Sequence, residues 1–232
     1  AQEFLDFLRD LEPDVVVVVA FGQILRPALL GMPRLGCVNV HPSLLPKYRG
    51  AAPIQWAIAN GDGVTGVTTM YLNERMDAGD IILQREAPIL PTDTGGTLHD
   101  RLAELGGDLM LETLACLRRG EAPRTPQDDA GATFAPKLRK SDGRIDWTSA
   151  AERIHNRVRA FNPWPGCICE APAGSGQYLK ILASAVEKGG RAEPGGVIGW
   201  TDAGPLVQTG FGALRLLEVQ AEGRKAMTGG AY

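Results

Sequence analysis

The chain has 232 residues, 44% hydrophobic and 22% charged, proportions of an ordinary globular chain that disfavour disorder, collagen and coiled coil. At roughly 150 residues per domain this makes about one and a half domains, and no apolar run approaches the roughly 20 residues of a membrane-spanning helix. The net charge of −3 hides an imbalance, because residues 1–136 carry 11 Lys+Arg against 18 Asp+Glu and residues 137–232 carry 13 against 9.

An acidic first part joined to a basic second part suggests two domains and a polyanionic partner for the second. Cys37, Cys116, Cys167 and Cys169 are too sparse for a disulfide framework and lack zinc spacing, so a reduced, cytoplasmic setting without a metal site is expected. The sequence opens at Ala1 with no signal-peptide pattern and stops after a turn-like Gly229-Gly-Ala-Tyr232, which reads as a fragment.

Residues 3–12 place Phe4, Leu5, Leu8 and Leu11 on one helical stripe that Pro13 ends. Asp14 to Ala20 is a β-branched run of strand length, apolar on both sides, as in a parallel sheet covered on both faces. A strand at 36–41, a short helix at 52–60, strands at 66–72 and 80–85 and a long helix carrying Leu98, Leu102, Leu105, Leu109 and Leu114 follow. Arg118, Arg119 and Gly120 close that helix as a basic last turn and a terminal glycine. The alternation predicts a Rossmann-like, mostly parallel open sheet.

Residues 121–145, rich in Pro, Gly, Asp and basic residues, show no sustained period and read as a linker. Ser149-Ala-Ala-Glu152 is a capping-box pattern opening a helix with Ile154, Val158 and Phe161 as its apolar stripe. Trp164, between two prolines, reads as a packing anchor between domains in preference to a base-stacking platform. Short segments at 178–183, 196–200, 205–209 and 213–219, separated by Gly-containing turns, predict a small β-barrel.

Side chains alternate across a strand, so Val38 and Val40 face one side while Asn39 and His41 face the other, roughly 6 to 7 Å apart. Two polar residues thus stand on a face that should be covered, where the strand leaves through Pro42-Ser-Leu-Leu-Pro46. Ligands of open α/β sheets bind outside the carboxyl ends of the strands. Asp77 lies in a second candidate loop, residues 73–80. An Asn can donate to an oxyanion and a carboxylate can hold a His tautomer. Without a Ser or Cys nucleophile, the three suit acyl transfer by direct attack of a bound amine; satisfied core polar groups and a turn-stabilising Asp are the alternatives.

The segments Asn39-Val-His41-Pro-Ser-Leu-Leu-Pro46, Tyr48-Arg-Gly-Ala-Ala-Pro-Ile-Gln55 and Met76-Asp-Ala-Gly-Asp80 resemble the signature of the folate-dependent formyltransferases. Within that family, Arg49-Gly-Ala-Ala-Pro53, Gly143-Arg-Ile-Asp-Trp147 and Arg159-Ala-Phe-Asn-Pro-Trp-Pro-Gly166 most resemble the members that formylate methionyl-tRNA. The resemblance implies a formyltransferase catalytic domain over residues 1–120, lacking its first strands, then the linker 121–145 and an OB-like tRNA-binding β-barrel domain over 146–232. It implies Asn39, His41 and Asp77 as catalytic, with 10-formyltetrahydrofolate as co-substrate.

By the same resemblance Ser43, Leu44, Leu45 and Pro46 bind folate, and Gln23, Ile24 and Leu25 line its pterin pocket. Initiator methionyl-tRNA is the implied partner and the enzyme a monomer; a sugar-nucleotide amine or another small amine is the alternative acceptor. A non-catalytic folate or RNA-binding module is the alternative from another class. The basic excess falls in residues 137–159, where Lys137, Arg139, Lys140, Arg153 and Arg157 are the candidates for phosphate contacts to tRNA.

Overall fold

The computed structural model describes residues 2–171 and 173–232. The chain divides into two compact units, one of Ala1–Ile54, Val64–Ile89 and His99–Lys137, the other of Gln55–Gly63, Leu90–Leu98 and Leu138–Tyr232. No helix among the described residues is long and apolar enough to cross a membrane.

The first unit is built on a four-stranded sheet in the order β1 (Val16–Val18), β2 (Cys37–His41), β4 (Val64–Tyr71), β5 (Ile81–Pro88). Only β1 and β2 are parallel; β2–β4 and β4–β5 are antiparallel. The expectation of a mostly parallel sheet is therefore corrected to a mixed one. The loop 72–80 cannot hold the dozen or more residues of a parallel crossover, so β4 and β5 form a hairpin.

One sheet face is covered by helix α4 (Gly95–Arg119), where Val38, Tyr71, Ile82, Met110 and Leu117 pack together with Val40 and Leu114. Approach is close at Gly106, where a Cβ would stand 2.9 Å from Val40 Cγ1. On the other face Cys37 packs with Leu25 and Leu29 of helix α2 (Pro27–Leu30), together with Leu5 and Leu8 of helix α1 (Gln2–Asp10). The two-sided cover expected of the valine run is partial: Val15 packs on the first cluster and Val16 and Val18 on the second, but Val17 is 41% and Val19 62% exposed, and β1 is an edge strand. Phe4 and Leu11 of the predicted stripe are exposed as well.

The stretch read as a linker is structured along its length, closing with a 3-10 turn at Lys140–Gly143 and a bridge from Arg144 to Ile168. Thr125 exchanges both backbone hydrogen bonds with Ile81, Asp128 caps a 3-10 turn at Asp129–Gly131 through Ala130 N, and β6 (Phe134–Ala135) pairs in parallel with β3 (Arg49–Gly50). Long-range pairing rather than periodicity orders it, which explains why it lacks a local sequence signal.

In the second unit, helix α5 (Ala151–Ala160) buries Ile154 and Val158, followed by Phe161. Phe161 meets Trp56 of helix α3 (Pro53–Ala59) edge to face at 6.0 Å between ring centroids. The capping box does not form; Ala150 is the N-cap, and Ser149 Oγ donates to Asp146 Oδ2 instead. The strands β7 (Cys167–Glu170), β8 (Tyr178–Glu187), β11 (Ala213–Ala221), β10 (Gly204–Gln208) and β9 (Val197–Thr201) form an antiparallel path in that order, with β12 (Met227–Thr228) on β11. Among the described residues no pairing joins β7 to β9, so the sheet does not close into the expected barrel.

Trp164 is 52% exposed. Cys167 and Cys169 are strand residues with free thiols, pushed by burial up to about 12 and about 11. A thiol held protonated in this way is a weak ligand and nucleophile.

Candidate active site

Strand β2 presents Asn39 and His41 on the face opposite Val38 and Val40, as strand alternation requires. Asn39 is paired in register with Val18 and Met70, and His41 with Thr68. Both side chains are buried, Asn39 at 9% exposure. The Asn39 amide makes no hydrogen bond within the chain among the described residues, which leaves its N–H groups free to donate.

His41 is held through one ring nitrogen and faces a carboxylate with the other. Nε2 stands 2.9 Å from the carbonyl of Tyr48, and because a carbonyl only accepts, Nε2 carries the hydrogen. Nδ1 therefore faces Asp77, whose Oδ2 lies 3.8 Å away. That separation exceeds a direct hydrogen bond. With the hydrogen on Nε2, Nδ1 is the ring atom turned toward the carboxylate.

Asp77 reaches this position from the β4–β5 loop in a left-handed conformation, with φ of +49°, which a non-glycine residue adopts only when its surroundings hold it there. Gly50 N donates to Asp77 Oδ2 at 2.8 Å. Gly50 itself has φ of +123°, and a Cβ there would stand 2.6 Å from the Ala135 carbonyl. Only glycine lets β3 lie against β6 with its N–H turned to Asp77.

The structure thus brings together Asn39, His41 and Asp77. Ser43 and Leu45 are buried in internal contacts: Ser43 Oγ donates to the Lys47 carbonyl at 2.6 Å, and Leu45 N donates to Thr68 Oγ1 at 3.1 Å. Leu44 and Pro46 are half-buried beside them. Leu25 is a core residue, whereas Gln23 and Ile24 are exposed after the carboxyl end of β1. Because β1 and β2 are parallel, the 19–26 and 42–48 loops leave from the same end of the sheet.

Among the basic candidates, Lys137, Arg139, Lys140 and Arg153 are exposed. Arg157 is half-buried, donating to the Asp142 carbonyl and lying over the Phe161 ring. Arg144, Arg153 and Arg157 line a cleft of about 120 Å³ in the second unit.

Sequence reasoning missed Tyr48, Arg49, Gly50 and Gln127 as parts of the site. The available signal was the Tyr48–Gln55 signature segment, whose Arg49 is buried, and such a charge must find partners. Arg49 donates through Nε and an NH2 group to Gln127 Oε1 at 3.0 and 2.8 Å.

Residues 1–114 match the family described as "Formyl transferase" and residues 137–232 match "Formyl transferase, C-terminal domain". The methionyl-tRNA formyltransferase of Syntrophus aciditrophicus is 48% identical over 97% of this chain and 71% of its own length. That of Moorella thermoacetica is 47% identical over 100% and 74%, and that of a Synechococcus strain 50% over 96% and 70%. Among solved structures, HypX from Aquifex aeolicus in complex with tetrahydrofolic acid superposes with a TM-score of 0.72 at 20% identity, covering 100% of this chain and 40% of that one, a likeness of fold. Identity near one half, sustained across both matched regions and most of each relative's length, makes the chain a member of the methionyl-tRNA formyltransferase family.

Proposed function

We propose that the chain transfers the formyl group of 10-formyltetrahydrofolate to the amino group of initiator methionyl-tRNA. The observation that carries this reading is the free amide of Asn39 beside a histidine whose Nδ1 faces Asp77. The bound donor supplies a formyl carbon; everything else is done by the chain. The acceptor amine bonds to that carbon, and its carbonyl electron pair moves onto oxygen, which Asn39 is placed to meet as a donor. The proton lost by the amine passes to the His41–Asp77 pair, directly or through water. Collapse re-forms the carbonyl, breaks the bond to the folate nitrogen and returns a proton to it.

Ser43, Leu44, Leu45 and Pro46 form one wall of the folate site through their backbone and the half-buried Leu44 and Pro46, with Gln23 and Ile24 at its pterin end and Leu25 supporting them from the core. Lys137, Arg139, Lys140 and Arg153 contact tRNA phosphates, and Arg157 contributes through the cleft it shares with Arg144 and Arg153. The enzyme acts as a monomer.

Charged initiator tRNA, a sugar-nucleotide amine and free methionine, offered at equal concentration with the same donor, test the reading. The tRNA is expected to be formylated fastest, with binding that weakens steeply as salt rises. Faster formylation of the sugar nucleotide would overturn the acceptor assignment. Donor binding with no acceptor formylated would make the chain a binding module.

A further inference from the structure

Asp77 is the one member of the trio not fixed by regular structure, so what holds its backbone decides whether its carboxylate meets His41. The answer lies 50 residues downstream, in the segment that lacks sequence periodicity. Gln127 Nε2 donates to the carbonyl of Asp77 at 2.9 Å and to that of Gly79 at 2.8 Å. Its Oε1 accepts twice from Arg49. Both carbonyls can only accept and Arg49 can only donate, so the amide has one possible orientation.

Arg49 is anchored in turn. Its side chain is buried, and its NH1 pairs with Asp129 Oδ1 at 2.9 Å, while Asp129 Oδ2 takes Arg75 at 2.7 Å. Arg75 and Asp77 share one loop, so the chain 127–129 grips that loop at both ends of a short span. The same downstream segment runs on into β6, which holds Gly50, the residue whose N–H binds the Asp77 carboxylate. Backbone and side chain of Asp77 are thus both positioned from residues 127–135.

We propose that Gln127, locked by the Arg49–Asp129 pair, is a positioning residue that sets the Asp77 carboxylate against His41. This rests on the reading that Asn39, His41 and Asp77 carry the transfer. Gln127→Glu is the sharpest test. It keeps the volume and an acceptor for Arg49, but turns an oxygen toward two carbonyls that need a donor.

A fall in kcat of about 10- to 100-fold is expected, the range of losses when an outer hydrogen bond that orients a functional ligand is removed, with KM for both substrates within about twofold. In an Asp77→Asn background the same change should do little further, because the position it secures no longer carries the carboxylate. A kcat within threefold of the parent, or a loss that multiplies in full with that of Asp77→Asn, would overturn the proposal.

Should Gln127→Glu not fold, Asp129→Asn, at a site 54% exposed, carries the same cycle with an expected loss of about 3- to 10-fold; an unchanged kcat there would overturn it equally. Amide hydrogen exchange separates this proposal from the assignment of activity. Faster exchange at Gly50 in Gln127→Glu, with residues 37–41 unchanged, supports the clasp even if the acceptor assignment fails. Unchanged exchange at Gly50 refutes the clasp whatever the acceptor.

Discussion

Replacing Asn39 by alanine separates catalysis from folding with little ambiguity. The residue sits in the middle of β2, with its backbone paired in register to Val18 on one side and Met70 on the other, and those ladder hydrogen bonds do not depend on the side chain. Its amide has no partner within the chain among the described residues, so truncation strands no buried donor or acceptor. The stability change is then limited to a few lost contacts, about 1 kcal/mol or less, or roughly 2–4 °C in Tm for a chain of this size.

The transition state is a different matter. Removing one preorganised donor from an oxyanion lowers kcat by about 10² to 10³, or about 2.7–4 kcal/mol, and this penalty falls on kcat because the ground-state carbonyl needs the donor less. Single-turnover formylation of charged initiator tRNA at saturating donor, run beside a thermal melt, reads both quantities. A variant that melts within 4 °C of the parent and is slowed at least 100-fold meets the expectation. A rate within threefold, or a loss confined to KM, would refute the oxyanion role of Asn39.

Gly50→Ala places a Cβ 2.6 Å from the Ala135 carbonyl at a φ of +123°; strain of about 1–3 kcal/mol should lower Tm and pull the Gly50 N–H from Asp77, with both effects visible in a melt and a kcat measurement on one sample. Phe161→Ala empties a fully buried ring site packed on Trp56, and a loss of about 3–5 kcal/mol by urea unfolding is expected. His155, half-buried with Nδ1 3.0 Å from Ser184 Oγ, has its pKa lowered by burial first and by Arg159 second. The folded chain then resists a proton that the unfolded chain accepts below a pH of about 6.5, so stability should fall as pH drops through that value, and His155→Gln should flatten the fall in Tm between pH 7.5 and 5.

Regular structure and the two strand-borne site residues were legible because local pattern determines them. A β-branched run, an alternation that breaks at Asn39 and His41, and a leucine stripe ended by Gly120 each need only a short window. Strand direction was not legible. A mostly parallel sheet follows from alternating strands and helices, yet the short loop 72–80 makes β4 and β5 a hairpin and β2 and β4 run antiparallel. The barrel prediction failed for a related reason, since strand count and spacing are local while closure is a long-range pairing.

The hardest part to read was the part on which the site depends most. Residues 121–137 look like a linker because nothing in them repeats, and their order comes from partners far away in sequence: Thr125 on Ile81, Gln127 on Asp77 and Arg49, Phe134 and Ala135 on β3. A polar, aperiodic segment can be fixed as firmly as a strand if each donor and acceptor finds a partner, because a half-satisfied network would destabilise the folded state more than a solvated loop would. Gln127 meets that condition at its amide, with two donors on two carbonyls and its oxygen filled by Arg49. The carboxylate of the trio is therefore placed by the least regular stretch of the first unit. Changes at Arg49, Gln127 and Asp129 should accordingly resemble changes at Asp77 in their kinetics, and not the loop substitutions that their sequence context suggests.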